Sequence, residues 1–194
     1  MNRLLWQSIK DVLASYDAAL TLEGEHPRRA AVLALLTDSP VPELIFTQRS
    51  AGLRHHASEV CFPGGMWEPH DKGLLASALR EVHEEIGVPS SMIEVLGALP
   101  IRQTKAGTWV QPFIGRISTD CRFSLNLHEL DALFKVPVDM FDKGLQIRTD
   151  IFERAGQQYP IPAYRYENYE IWGFTASVTA DLLKLLLPLM RSPA

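Results

Sequence analysis

The chain is short of several things, and each shortage closes off a class of protein. It has only two cysteines, Cys61 and Cys121, so no disulfide framework supports it and a hydrophobic core must do that work. Cys61 lies in the apolar run Val60-Cys61-Phe62 and reads as a core residue. No run of about 18 apolar residues occurs, which predicts no transmembrane helix. Gln7, Ser8, Lys10 and Asp11 interrupt the N-terminal segment, so it lacks the apolar stretch of a signal peptide. The last four residues, Arg191-Ser192-Pro193-Ala194, are not a peroxisomal address. A cytoplasmic location is the expectation. Positive charge is not in excess: 19 Lys and Arg face 23 Asp and Glu, a net charge of −4. That excludes the basic footprint of a non-specific nucleic-acid binder. Repeats, low-complexity tracts and inter-domain linkers are also missing. The expectation is one domain over residues 1–194, of ordinary core size for 194 residues. Residues 1–27 form a helical cap and residues 174–190 a C-terminal helix.

What is present centres on residues 62–88. Phe62-Pro63-Gly64-Gly65 is a turn, since Pro fixes φ and two glycines permit positive φ. Residues 74–86 have helical periodicity, with Leu75, Leu79, Val82 and Ile86 as the apolar face. Gly87 ends that helix and Pro89 prevents its return. The polar face carries Glu81, Glu84 and Glu85 at i, i+3 and i+4, where like charges disfavour a helix unless neutralised. A hard divalent cation, Mg²⁺ or Mn²⁺, would neutralise them through carboxylate oxygens. Arg80 has the donor fork to hold a loop carbonyl or a carboxylate. The bland alternative for such a face is a solvated charged surface.

Arg80-Glu81-Val82-His83-Glu84-Glu85-Ile86-Gly87-Val88 resembles the second half of the Nudix box, Arg-Glu-apolar-x-Glu-Glu-x-Gly-apolar, at every fixed position. The first half departs: Lys72 stands where the box has Glu and Met66 where it has Gly. Gly65 and Asp71 are present instead, so the Gly-to-Arg interval is one residue longer. Upstream, Leu44-Ile45-Phe46-Thr47-Gln48-Arg49-Ser50, then Arg54, then Phe62-Pro63-Gly64-Gly65 resembles the signature of the coenzyme A branch of Nudix hydrolases. One position differs, with Ser58 where the signature has Gly. Either the loop here takes an ordinary conformation that shifts Arg54 and His55, which is the favoured expectation, or Ser58 is held strained at positive φ.

The resemblance implies an α/β/α sandwich with a mixed sheet. It implies hydrolysis of the diphosphate of coenzyme A or its thioesters, with other nucleoside diphosphate derivatives, or a non-catalytic nucleotide-sensing module, as alternatives. The implied metal ligands are Glu81, Glu84 and Glu85. The implied acid–base and positioning residues are Glu84, Glu129 and Arg80. Gly64, Gly65, Arg49, Arg54 and Lys105 are the candidates for phosphate binding. The partner is then a small nucleotide-like substrate, with no nucleic acid and no membrane, and a homodimer is an open option. Glu129 has the alternative of being a plain surface acid. His55 and His56 lack partners at zinc spacing and are not read as ligands.

Elsewhere the pattern predicts a helix over residues 4–22, with Leu5, Ile9, Val12, Leu13, Tyr16 and Leu20 inward. Strands are expected at residues 30–37, 43–48, 93–99, 109–117, 145–153 and 161–167, with a loop at residues 102–108. Pro112 argues for an edge or a bulge in its strand. Residues 126–134 read as a short helix or turn. Gly173 ends a strand, Thr175 caps the last helix and Trp172 reads as core. The leucine-rich stretch 182–189 is core or a dimer face, and too short to cross a bilayer.

Overall fold

The computed structural model describes residues 2–17, 28–154 and 156–191. Its spine is β1 (Arg29–Thr37), buried along nearly its whole length. β1 runs parallel to β7 (Trp109–Ile117), in register from Arg29 opposite Trp109 to Thr37 opposite Ile117. β2 (Glu43–Arg49), β3 (Val60–Cys61), β4 (Gly64–Met66), β5 (Glu94–Ala98), β6 (Arg102–Gln103) and β8 (Leu130–Pro137) complete one mixed sheet. A second, antiparallel sheet holds β9 (Gln146–Arg154), β10 (Gln157–Tyr166) and β11 (Tyr169–Ile171). Among the described residues four α-helices accompany them: α1 (Asn2–Asp17), α2 (Leu74–Ile86), α3 (Val138–Asp142) and α4 (Gly173–Arg191).

The alternation of side chains along β1 builds the layers. Ala31, Leu33 and Leu35 face a cluster with Ala78, Val82 and Ile86 of α2. Ala34 and Leu36 face the other cluster, with Trp6, Ile9 and Leu13 of α1 and Leu182, Leu185 and Leu186 of α4. Helices therefore cover both faces of a mixed sheet, the expected α/β sandwich.

Several local expectations need correction. The stripe of α2 that packs runs through Leu74, Ala78, Val82 and Ile86, with Leu79 at its margin; Leu75 lies off it. Small Ala78 lets the helix approach β1, so the buried face is rotated by one position. In α1, Trp6, Ile9 and Leu13 are buried, but Val12 and Tyr16 are 36% exposed; Leu20 lies outside the described residues. Pro112 is not on an edge: β7 is paired with β1 on one side and with β5 and β6 on the other. The missing N–H is accommodated because β5 ends at Ala98 and β6 starts at Arg102, leaving Pro112 opposite the gap. Residues 126–129 form a turn, and Phe134 lies in strand β8. Thr175 sits inside α4, where its Oγ1 donates to the Val60 carbonyl at 3.1 Å instead of capping the helix. Trp172 is 44% exposed, because the chain turns at Gly173, with φ +59°, just after it. The leucines at 182–189 belong to a 19-residue helix that is long and apolar enough by composition to cross a membrane. In the fold Leu182, Leu183, Leu185 and Leu186 are buried against the domain.

Candidate active site

The double glycine is required by close packing. A Cβ on Gly64 would lie 2.3 Å from the Ala31 carbonyl oxygen and 2.6 Å from the Val32 Cα. One on Gly65 would lie 2.3 Å from Oε1 of Glu81. β4 is thereby pressed between β1 and the carboxylate face of α2. Gly87 closes α2 in the left-handed region, with φ +73°, and its N–H donates to the His83 carbonyl.

Arg80 organises the face. Its Nε and Nη2 donate to the two carboxylate oxygens of Asp71, each at 3.1 Å. Nη2 also reaches the Met66 carbonyl at 3.1 Å, while Nη1 reaches Glu81 at 2.9 Å and Glu84 at 3.0 Å. Asp71 is further held by Ser77 Oγ at 2.8 Å and the Glu68 N–H at 2.9 Å. Its side chain is 3% exposed. The Arg80 guanidinium holds the Asp71 carboxyl well below the usual carboxylate range. Asp71 thus fills the role that the shifted register denies to Lys72, which is exposed.

The three glutamates differ sharply. Glu85 is 1% exposed and accepts the Gly64 N–H at 3.1 Å. Burial pushes its pKa up to about 8; the Gly64 bond and the Arg49 charge oppose the shift, and Glu81 and Glu129 add to it. Glu81 is half-buried and also raised, by burial first, against the pull of Arg80. The Glu84 side chain is 53% exposed. Among the described residues no three His, Cys, Asp or Glu side chains are gathered as a ready ligand cage. The reason is visible: Arg80 occupies one oxygen each of Glu81 and Glu84 and supplies part of the neutralisation expected of a cation. The donor set is nonetheless hard oxygen throughout, and among the described residues Glu85 has no cationic hydrogen-bond partner. Burying Val82 and Ile86 is worth about 1.5–3 kcal/mol each, which outweighs the few tenths of a kcal/mol lost by like charges one turn apart.

Glu129 joins this group. Asn126 Nδ2 donates to Glu129 Oε1 at 3.1 Å, and the Asn126 N–H donates to the Glu85 carbonyl at 2.9 Å. The turn carrying Glu129 is therefore tied to the end of α2. Arg49, at the end of β2, acts electrostatically on Glu85, and its buried Nε has no hydrogen-bond partner among the described residues. Arg54 is exposed on loop 50–59. Lys105 is exposed at the tip of the β6–β7 turn, beside Ile151 and Glu153 of β9 rather than among the carboxylates. Ser58 has φ +60° and His56 φ +56°, so the expectation of an ordinary conformation at Ser58 is overturned. The Ser58 N–H donates to the Arg49 carbonyl at 3.1 Å, and this bond holds the strained turn. Asn126 and Ser77 were not singled out by the sequence, since neither stands at a recognisable motif position.

The NUDIX domain family matches residues 27–141. The chain belongs to the Nudix hydrolase family. It is 38% identical over 156 residues to a protein of Escherichia coli O7:K1 named "Uncharacterized Nudix hydrolase NudL", covering 80% of this chain and 81% of that one. It is 36% identical over 162 residues to the protein of that name in Photorhabdus laumondii, covering 82% and 85%. In fold it is similar to a Nudix hydrolase from M. Smegmatis, RenU, with TM-score 0.50 and 20% identity over 64% of this chain and 81% of that one. It is similar also to a MutT/nudix family protein from Enterococcus faecalis, with TM-score 0.50 and 17% identity over 93% and 74%. This Nudix hydrolase acts on the pyrophosphate bond of nucleoside diphosphate derivatives, which leaves a purely sensing module without support.

Proposed function

We propose that this Nudix hydrolase cleaves the diphosphate of coenzyme A or an acyl-coenzyme A, giving 3′,5′-ADP and (acyl-)4′-phosphopantetheine. The observation that carries the reading is the signature over residues 44–65, which agrees in spacing throughout and departs only at Ser58. Its Arg49 is a cation beside the carboxylates whose buried Nε has no hydrogen-bond partner among the described residues, which suits an anionic substrate group. Arg54, on the adjoining loop, is the second phosphate-binding candidate, and Lys105 a more distant one.

Glu81, Glu84 and Glu85 would hold Mg²⁺ or Mn²⁺, because hard carboxylate oxygens suit those ions and two of the three are partly or wholly withdrawn from water. A bound cation supplies charge neutralisation at the diphosphate and a more acidic water. Water attacks one phosphorus, the bridging oxygen leaves with the other, and the proton passes to a carboxylate, Glu84 or Glu129. Arg80 keeps Glu81 and Glu84 in position, and the Gly64-Gly65 strand lets backbone lie close to the reacting phosphates.

A substrate panel tests this. Coenzyme A, acetyl-coenzyme A, 3′-dephospho-coenzyme A, ADP-ribose, NADH and diadenosine polyphosphates are compared by kcat/KM, with products identified by mass. Coenzyme A is expected to exceed the dephospho form, since a cation left unpaired by the missing 3′-phosphate penalises it. ADP-ribose or a dinucleotide ahead of both would overturn the proposal in favour of another nucleoside diphosphate substrate.

A further inference from the structure

The β9–β10 hairpin exposes an unusual edge. Residues 146–149, Ile151 and Glu153 of β9 are all exposed. Ile147 is 43% and Ile151 59% exposed. β9 ends its sheet, paired with β10 alone among the described residues. The register shows which backbone groups face outward. Pro162 lies opposite Thr149, and Pro160 opposite Ile151. Proline has no N–H, so neither pair is a hydrogen-bonded one in a ladder where bonded and non-bonded pairs alternate. The N–H and C=O groups of Thr149 and Ile151 therefore point along the open edge. Such an edge is a template for another strand.

We propose that β9 pairs antiparallel with β9 of a second copy of this chain, about a two-fold axis at Thr149. The strand itself identifies the occupant. In this register Thr149 meets Thr149, Arg148 meets Asp150, Ile147 meets Ile151 and Gln146 meets Phe152, each heterologous pair occurring twice. An axis at residue 148 sets Arg148 against Arg148, and one at 150 sets Asp150 against Asp150. Only the axis at Thr149 brings opposite charges together among these three. Arg148 Nε already donates to Asp150 of its own chain at 2.8 Å, and its Nη1 donates to Glu170, which also accepts from Arg165, so pairing brings the Asp150 end of one such network against the Arg148 of the other. One strand edge buries less than a standard interface. The dimer is accordingly concentration-dependent, with a dissociation constant in the micromolar range.

Sedimentation equilibrium of the full chain, from low to several hundred micromolar, tests the pairing. The wild type is expected to dimerise reversibly. Asp150→Arg, which sets Arg against Arg, is expected to weaken the dimer at least roughly tenfold, and Ile151→Lys likewise. Arg148→Asp combined with Asp150→Arg is expected to restore the dissociation constant to within about threefold of the wild type. Coenzyme A hydrolysis and circular dichroism of dilute samples, unchanged in every variant, show that the fold is intact. A monomer at all concentrations overturns the proposal. So does a dimer that survives both single substitutions, or a double variant that stays monomeric.

Discussion

Asp71 grips Arg80 through both of its carboxylate oxygens, at 3.1 Å from Nε and 3.1 Å from Nη2. Neither residue touches the other by chain proximity; a turn and two turns of helix intervene. The pair fixes the guanidinium that in turn holds Glu81 and Glu84.

Asp71→Asn is expected to lower turnover about tenfold or more, with KM less affected, because Arg80 loses its anchor and the two glutamates lose their common donor. The folded pKa of Asp71 is depressed, so its contribution to stability is present above the ordinary carboxylate pKa and is lost as pH falls towards the depressed value. Urea unfolding at pH 7 and at acid pH checks this: the variant should lose stability at pH 7 and show a shallower acid limb. Lys72→Ala, at an exposed position, should change neither.

Glu85→Gln is expected to reduce turnover by roughly a hundredfold or more, the scale for losing a catalytic electrostatic group. It has a second signature in metal-free protein. The folded pKa of Glu85 is raised to about 8, so the folded state binds a proton that the unfolded state has released. Stability of the metal-free wild type therefore falls as pH rises from the ordinary carboxylate value towards about 8. Thermal melts in a chelator should show that decline, and Glu85→Gln should remove it.

The two glycines should respond differently. Gly64→Ala meets backbone at 2.3 Å and is expected to destabilise the fold by about 3 kcal/mol or more. Gly65→Ala meets only the end of the Glu81 side chain. It is expected to keep a near-native melting temperature while losing activity, because the carboxylate must move. Melting curves and kcat measured on the same preparations distinguish the two.

Ser58→Gly relieves a serine at φ +60° and is expected to raise stability by about 1 kcal/mol. The Ser58 N–H bond to Arg49 survives the change, so KM for coenzyme A should stay the same. A lower KM with an unchanged melting temperature would show that the loop had been displaced instead.

The sandwich, the strands and the carboxylate helix were legible because they rest on periodicity and on glycines whose packing permits nothing else. What was not legible depends on three-dimensional register. The pattern of α2 allows Leu75 or Leu74 inward, and only the close approach of Ala78 to β1 decides. Trp172 is apolar and lies beside a strand, yet the turn at Gly173 leaves it half in water. The grouping of Glu129 with Glu81 and Glu85 depends on Asn126, whose side-chain amide holds Glu129 while its backbone N–H reaches the Glu85 carbonyl about forty residues back in the chain. Asp71 was visible as a misplaced acid, but its purpose appears only once Arg80 reaches it.

The loop after β2 begins and ends on one residue. The Arg49 N–H donates to the Glu59 carbonyl at 3.0 Å, and the Arg49 carbonyl accepts the Ser58 N–H at 3.1 Å. Residues 50–58 are thus a cassette closed at its base, where the Ser50 N–H also donates to the Glu129 carbonyl at 2.8 Å and the Ala51 N–H to the Asp131 carboxylate at 2.8 Å. Its interior can be rewritten, lengthened or shortened without disturbing the strand that carries Arg49 or the helix that carries the glutamates. With Arg54 as the proposed phosphate contact on this loop, changes of substrate preference can be made there while the carboxylate face of the helix stays as it is.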